Sequence, residues 1–287
     1  MRSNTYKHPQ SGWFGRVVEV IFNNSQLARI RRALMSRIPF LKLSSDVRDV
    51  VYLTWLVPVQ AAEAFVPKGV SLWQRNGLTP FTVLSYQHVH FGPSVMGFAR
   101  QSFPSPRQSN WRLYLDTSPD SAGAARTVWF LKNIISSFAY AAATRLFSDA
   151  LPTHLPEKFV HRRHLDQIHT EIQPGDGSSP ALSASVRVGG DRSLNEAFSS
   201  VFESWNEAVS FLACQDAAVA ITEDTGQLAY AEIRLPIEVS NVLPASLCQA
   251  ASMTCSLLPE LQPVSDPFCF VVERVRFEAI SERLLST

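Results

Sequence analysis

Asn110-Trp-Arg-Leu-Tyr-Leu115, Arg126-Thr-Val-Trp-Phe-Leu131, a run to Phe147, and Ala150-Leu-Pro-Thr-His-Leu-Pro-Glu-Lys-Phe159 form the stretch from which the fold is read. The first two segments are strand-length and rich in β-branched and aromatic residues. The third predicts a helix over 133–147, and the fourth is a proline-punctuated turn.

Working outward, residues 81–91 alternate. Phe81, Val83, Ser85, Gln87, Val89 and Phe91 take one face, and Thr82, Leu84, Tyr86, His88 and His90 the other. Asn76-Gly77 predicts a tight hairpin, because both residues tolerate positive φ in a type I′ turn. A strand over 49–57 ends at Pro58, a short helix follows over 60–65, and 70–73 is another strand. Residues 92–109, with three prolines, form a loop long enough to be a candidate lid. On the C-terminal side, 165–172 and 182–188 pair around the 174–180 turn. Ser193 stands three residues before Glu196, capping-box spacing for a helix over 194–212. Residues 217–222 and 227–235 make a hairpin around Glu223-Asp-Thr-Gly226, followed by a helix over 245–258 and a strand over 268–277. Strands joined mostly by hairpins lack the βαβ alternation of a doubly wound sheet. The expected class is α+β, a largely antiparallel, barrel-like sheet with flanking helices. Residues 46–287 are expected to form one domain.

Residues 1–45 differ. Eight Lys or Arg face a single acid, Glu19, and apolar positions from Phe14 to Ile38 recur at helical spacing with a break at Asn23-Asn24-Ser25. This is a basic amphipathic helical arm. Its first expectation is an apolar stripe packed on the main domain with solvated arginines outside. The alternative is contact with an anionic membrane surface or a protein partner.

Composition narrows the function. With 46% apolar and 18% charged residues over 287 positions, the chain can bury roughly three quarters of its unfolded surface. A net charge of +1 offers no electrostatic case for nucleic acid. Cys214, Cys248, Cys255 and Cys269 show neither a C-x-x-C pair nor metal-ligand rhythm, so they are expected to be reduced thiols in a cytoplasmic protein. The N-terminus has no apolar signal region, and no stretch of about 18 uncharged apolar residues suits a transmembrane segment. No P-loop, G-x-G-x-x-G, G-x-S-x-G or H-E-x-x-H occurs. No cofactor and no metal are implied, and a homo-oligomer stays open.

The order of motifs resembles the YqjF-like bacterial family of unknown function, within the acetoacetate decarboxylase-like superfamily. The similar pieces are Tyr52-Leu-Thr-Trp-Leu-Val-Pro58, Phe65-Val-Pro-Lys-Gly69, Asn110 with Arg112, Trp129-Phe130, Leu151-Pro152, Ser193-Leu194 and Gly226-Gln-Leu-Ala-Tyr-Ala-Glu-Ile-Arg-Leu-Pro236. Together they cover roughly residues 46–278, leaving the arm outside. The resemblance implies a barrel enclosing a small-molecule pocket. In the decarboxylases a lysine after a Gly-x-Pro turn forms a Schiff base, its pKa lowered by burial beside another cation. Here the turn is Ala150-Leu-Pro152 and the next residue is Thr153, which cannot form an imine. Lys158 replaces it only if the backbone reshapes between Pro152 and Pro156; otherwise it is a surface lysine.

Period two sets Asn110, Arg112 and Tyr114 on one strand face. If the opposite face, with Trp111, packs under a helix, Arg112 becomes a fork of donors for a carboxylate or keto oxygen. A structural ion pair with Glu232 or Glu157 is the alternative. Tyr86, His88, Thr153 and Trp129 complete the expected ligand-binding set with Asn110 and Arg112. His88 and His90 form an H-x-H pair without a third ligand. His154 is the acid/base candidate because the resemblance puts its turn at the pocket. Glu232 and Tyr114 join it as candidate catalytic groups, although an exposed Glu232 on a hairpin is the more common outcome. His161, His164 and His169 look exposed and receive no role. The leading expectation is a small-molecule-binding barrel for a carboxylate- or carbonyl-bearing ligand. The others are a lyase, dehydratase or cyclase using acid/base groups in that pocket, and an interaction protein working through its arm.

Overall fold

A computed structural model describes residues 4–35, 37–119 and 126–285. Two helices open the chain, α1 (Trp13–Phe22) and α2 (Ser25–Met35). β1 (Leu43–Pro58), α3 (Val59–Glu63), β2 (Leu78–Pro93), β3 (Arg107–Tyr114), β4 (Thr127–Ile135), α4 (Phe138–Phe147) and β5 (Thr153–His154) follow. Next come β6 (Lys158–His164), β7 (Gln167–Gln173), β8 (Leu182–Val188), α5 (Glu196–Ser199), α6 (Trp205–Ala213), β9 (Ala217–Ile221) and β10 (Leu228–Arg234). β11 (Leu243–Leu247), β12 (Thr254–Cys255), α7 (Leu258–Leu261) and β13 (Phe268–Leu284) complete the chain.

The described strands form one sheet that closes on itself. β13 pairs along one edge with β1, from Leu43↔Ala279 to Thr54↔Phe268, so the order β1-β2-β3-β4-β9-β10-β13 returns to β1. Its other edge carries β10 at the C-terminal end and β11 at the N-terminal end, and β11 leads on to β8, β7 and β6. All these pairs are antiparallel except β4 with β5 and β4 with β9. Only a strand as long as β13 can serve both partners, and the strand signal at 268–277 covers little more than half of it.

Over residues 50–57 β1 is buried on both faces, so that half reads as a nearly continuous apolar run rather than an alternation. One face carries Leu53, Trp55, Phe81, Trp111 and Trp129 and packs toward β7 and β8 through Ile168, Ile172, Leu182 and Val186. The opposite face carries Tyr52, Tyr86, Tyr114, Phe130 and Phe270 and packs against Phe198 of α5 and Val209 and Leu212 of α6. The sequence expectation placed a helix over the Trp111 face. The structure puts α6 over the Arg112 face instead, so that row is covered rather than open.

Several expected elements shift. The helix over 133–147 begins only at Phe138, because β4 continues to Ile135 in register with Gln108 of β3. The helix over 194–212 is two: Asn195, not Ser193, caps α5, and Ser204 caps α6 by accepting from the Glu207 backbone N–H. Glu207 in turn accepts from the Glu203 N–H at 2.6 Å, as in a capping box one residue displaced. Ser204→Ala is expected to cost about 1 kcal/mol, read as a lowered urea midpoint with an unchanged slope. The helix over 245–258 is absent: Ala245, Ser246 and Leu247 pair with Val188, Arg187 and Val186, and sheet pairing overrides helix propensity there. Residues 70–73 reduce to a bridge from Leu72 to Leu115. The Asn76-Gly77 hairpin forms as expected, with φ of 55° and 73°. Part of the candidate lid, Ser94–Ser102, winds into 3-10 helix. The basic segment expected to be exposed contains β6, in which His161 is buried and bonded to the Asp49 carbonyl and the Thr170 hydroxyl.

The arm departs furthest from expectation. Its helices and their break are where the periodicity put them, but α2 is turned with charge inward. Arg31 and Arg32 hold Asp149, and Arg32 also holds Asp224, while Leu27, Ile30 and Leu34 face outward. The extended residues before α1 are the ones that enter the body, with Asn4, Tyr6 and His8 buried.

Candidate functional site

β4 and β5 meet side by side, joined by α4, and a cavity of about 380 Å³ opens at their edge. Trp129, Leu131 and Lys132 of β4 form one wall and Ser178, Ser179 and Pro180 another, with Asn4 and Leu257 among the residues that line the rest. A β-bulge decides what β4 presents. Opposite β3 the register slips so that Trp111 faces Lys132 while Arg112 faces Phe130, leaving Leu131 as the extra residue. Strict alternation from Trp129 would send Lys132 to the other face; the bulge returns it to the Trp111 face and puts Asn133 opposite Asn110.

His154 stands behind Lys132, fully buried. Its Nε2 lies 3.4 Å from Lys132 Nζ and 3.3 Å from Arg145 Nη2, and its Nδ1 lies 2.6 Å from Ser178 Oγ. Lys and Arg only donate, so Nε2 accepts and Nδ1–H donates to the Ser178 hydroxyl. Burial holds His154 well below the ordinary histidine range, and the charges of Arg145 and Lys132 push the same way. The ring is therefore a neutral acceptor and a weak base. Arg145 is itself fixed, donating to the carbonyls of Thr153 at 2.8 Å and Asn4 at 2.9 Å, and burial brings its pKa down to about 10. Glu223 is the acid that faces this group, reached by Arg145 through space and by the Asn4 N–H directly.

The residues singled out by sequence divide among three places. Trp129 lines this cavity, and His154 lies behind its wall in contact with Lys132 and Ser178. Thr153, paired with Asn133 of β4, does not line it and turns its hydroxyl back onto the Leu151 carbonyl at 3.1 Å. Arg112, Tyr114, Asn110, Tyr86 and His88 lie on the opposite face beneath α6. Arg112 Nη2 donates to the Leu212 carbonyl at 2.7 Å, and the Tyr114 hydroxyl donates to the same oxygen at 3.0 Å. The guanidinium also sits 5.6 Å from the Tyr52 ring centroid and 5.4 Å from that of Tyr114. Arg112 makes neither the expected ion pair nor a cavity wall; it terminates α6. Tyr86 donates to Asn110 Oδ1 at 3.0 Å, and the Asn110 amide donates to Asn133 Oδ1 at 2.6 Å. His88 pairs with Gln108 and stacks on Phe91, and His90, at φ 52°, turns out of the alternation. Glu232 is exposed and accepts from Ser281, away from both groups. Lys158 is half-exposed and paired with Glu171 at 2.8 Å. Sequence reading missed Lys132, Arg145, Ser178 and Asn4. Lys132 is the lysine of the Trp129-Phe130 strand, but a bulge leaves no mark on period two.

No family model and no curated protein matches this sequence. Solved structures do. The enduracididine biosynthesis enzyme MppR complexed with pyruvate is similar at TM-score 0.56 and 11% identity, covering 85% of this chain and 90% of that one. An acetoacetate decarboxylase-like enzyme from Sphingomonas wittichii RW1 is similar at TM-score 0.53 and 11% identity, covering 85% and 93%. Acetoacetate decarboxylase from Legionella pneumophila is similar at TM-score 0.53 and 10% identity, covering 85% and 87%. At these identities the likeness is one of fold, and the fold of this chain is that of the acetoacetate decarboxylase-like enzymes.

Proposed function

We propose that this chain is a small-molecule-binding protein of the YqjF-like group, taking a carboxylate- or carbonyl-bearing ligand in the cavity at Lys132. The observation that carries the reading is the placement of Lys132 on the cavity wall with Arg145 behind it and a neutral imidazole between them. Two cations around an uncharged acceptor favour an anion or a polarised carbonyl, and Trp129 and Leu131 supply an apolar wall for its carbon skeleton. Support from the fold comes from MppR, whose solved structure is a complex with pyruvate. Ligand recognition thus moves from Arg112 to Lys132. Of the acid/base candidates only His154 adjoins the cavity, and as a weak base it orients Lys132.

The test is thermal denaturation with millimolar pyruvate, 2-oxobutanoate and acetoacetate. The wild type is expected to gain several degrees with at least one of them, and Lys132→Met to gain less than one degree. Failure of all three on the wild type, or equal shifts for both proteins, overturns the reading.

One observation favours a covalent variant of it. Asn133 is the cross-strand partner of Thr153, so Lys132, not Lys158, is the lysine beside the position where the decarboxylases carry theirs. An unprotonated Lys132 amine would add to a ketone and expel water, giving an imine. Borohydride with pyruvate should then add the reduced adduct's mass to the Lys132 peptide. An unmodified peptide leaves binding without covalent chemistry.

A further inference from the structure

We propose that α1, α2 and the exposed ends of α4 form a docking surface for an anionic lipid bilayer. On α1, Trp13 and Val20 are 76% and 67% exposed, and Val17, Phe14 and Ile21 continue the same stripe at 40% or more. On α2, Ile30 and Leu34 are 58% and 57% exposed, with Leu27 beside them. These are the apolar faces of both helices, and on a protein surrounded by water they would ordinarily be turned inward.

The reason they are not is visible in how each helix is held. α1 rests on its Gly15 and Val18 edge, where any Cβ at Gly15 would come within 2.7 Å of the Gln10 carbonyl oxygen. α2 is held by the ion pairs of Arg31 and Arg32 with Asp149 and Asp224. α1 is thus anchored by Gly15, Val18 and the Phe22 ring, which packs on Tyr6 and Phe138, and α2 by charge, and the rest of the apolar stripes is left as surface. The stripes are joined: Phe138 of α4 lies 5.7 Å from the Phe14 ring, and Arg31 donates to the Ser148 carbonyl just beyond the exposed Phe147. An exposed apolar area of this extent marks an interaction site.

Charge selects the occupant. Lys7, Arg16, Arg29, Arg37 and Lys42 are exposed around the stripes, and Glu19 is the one acid before residue 45. Aromatic and aliphatic side chains ringed by cations suit the interface of a negatively charged leaflet. A second copy would bring the same cations against themselves across a two-fold axis. Among the described residues no helix is long and apolar enough to span the membrane, so the chain would lie on the surface.

Co-sedimentation of the full chain with vesicles tests this. Phosphatidylcholine vesicles containing about 30% phosphatidylserine should retain the protein at least tenfold better than phosphatidylcholine alone, and 0.5 M salt should abolish most of the difference. The variant Trp13→Ser/Val20→Ser/Ile30→Ser replaces only exposed side chains, so it should keep the wild-type circular dichroism and bind at least tenfold less. Absence of wild-type binding, equal binding by the variant, or a dimer that the variant dissociates without any lipid binding would overturn the proposal.

Discussion

Between pH 6.5 and pH 4 the protein is expected to lose about 6 kcal/mol of folding free energy through His88 and His161 alone, each lowered to about 4 from 6.5. Both are buried and neutral in the fold: His88 donates to Gln108, and His161 lies between the Asp49 carbonyl and the Thr170 hydroxyl. Desolvation is the leading cause of both shifts. The unfolded chain takes up a proton at each as pH falls through 6.5, and the folded chain does so only near 4. Their stability is therefore complete above 6.5 and is lost as pH falls toward 4, at about 3 kcal/mol apiece. His154 acts in the same direction. Glu171 and Asp224, held low by Lys158 and Arg32, add to the loss at lower pH, whereas the buried Glu282, raised by desolvation, works against it. A total of this size is comparable with the whole stability of an ordinary domain. Urea midpoints at pH 7.5, 6, 5 and 4.5 should fall steeply, and His88→Gln/His161→Gln should flatten the fall. A midpoint independent of pH over this range would contradict the assignment.

Arg112→Ala should destabilise by about 3–5 kcal/mol while leaving ligand-induced stabilisation largely intact. The substitution removes a buried cation that donates to the Leu212 carbonyl and lies against Tyr52 and Tyr114, and it opens a cavity beneath α6. A carbonyl at the end of a helix has no partner within that helix, so its loss of the guanidinium is felt directly. An arginine that recognised ligand would behave in the opposite way, with Tm nearly unchanged and the shift by keto acid abolished. Comparing Arg112→Ala with Lys132→Met by urea unfolding and by thermal shift separates the two roles.

Residues 110–115 and 126–131 were legible because their β-branched and aromatic content and strand length are local properties. The same holds for the Asn76-Gly77 turn, the β9–β10 hairpin and the two arm helices with their break. β6 was not legible, since Lys158 to His164 is strongly basic and becomes a strand only by pairing with β7. Nor was β11, whose small residues carry helix propensity until β8 and β13 claim them. In the site, His154 and Trp129 were found because the turn and the strand that carry them are marked in sequence. Lys132 was not, because alternation assigns it to the wrong side of β4.

The sequence by itself determined the class of fold, most of the segments that would become strands, and the absence of a lysine at position 153. Those follow from local propensity, spacing and residue identity. The tertiary structure decided the rest: that the sheet closes through β13, that Arg112 faces α6, that the β4 bulge brings Lys132 beside His154, and that the arm buries its arginines. Each depends on which surface a distant segment offers. A one-residue slip in register or a half-turn of a helix inverts the outcome without changing a single residue.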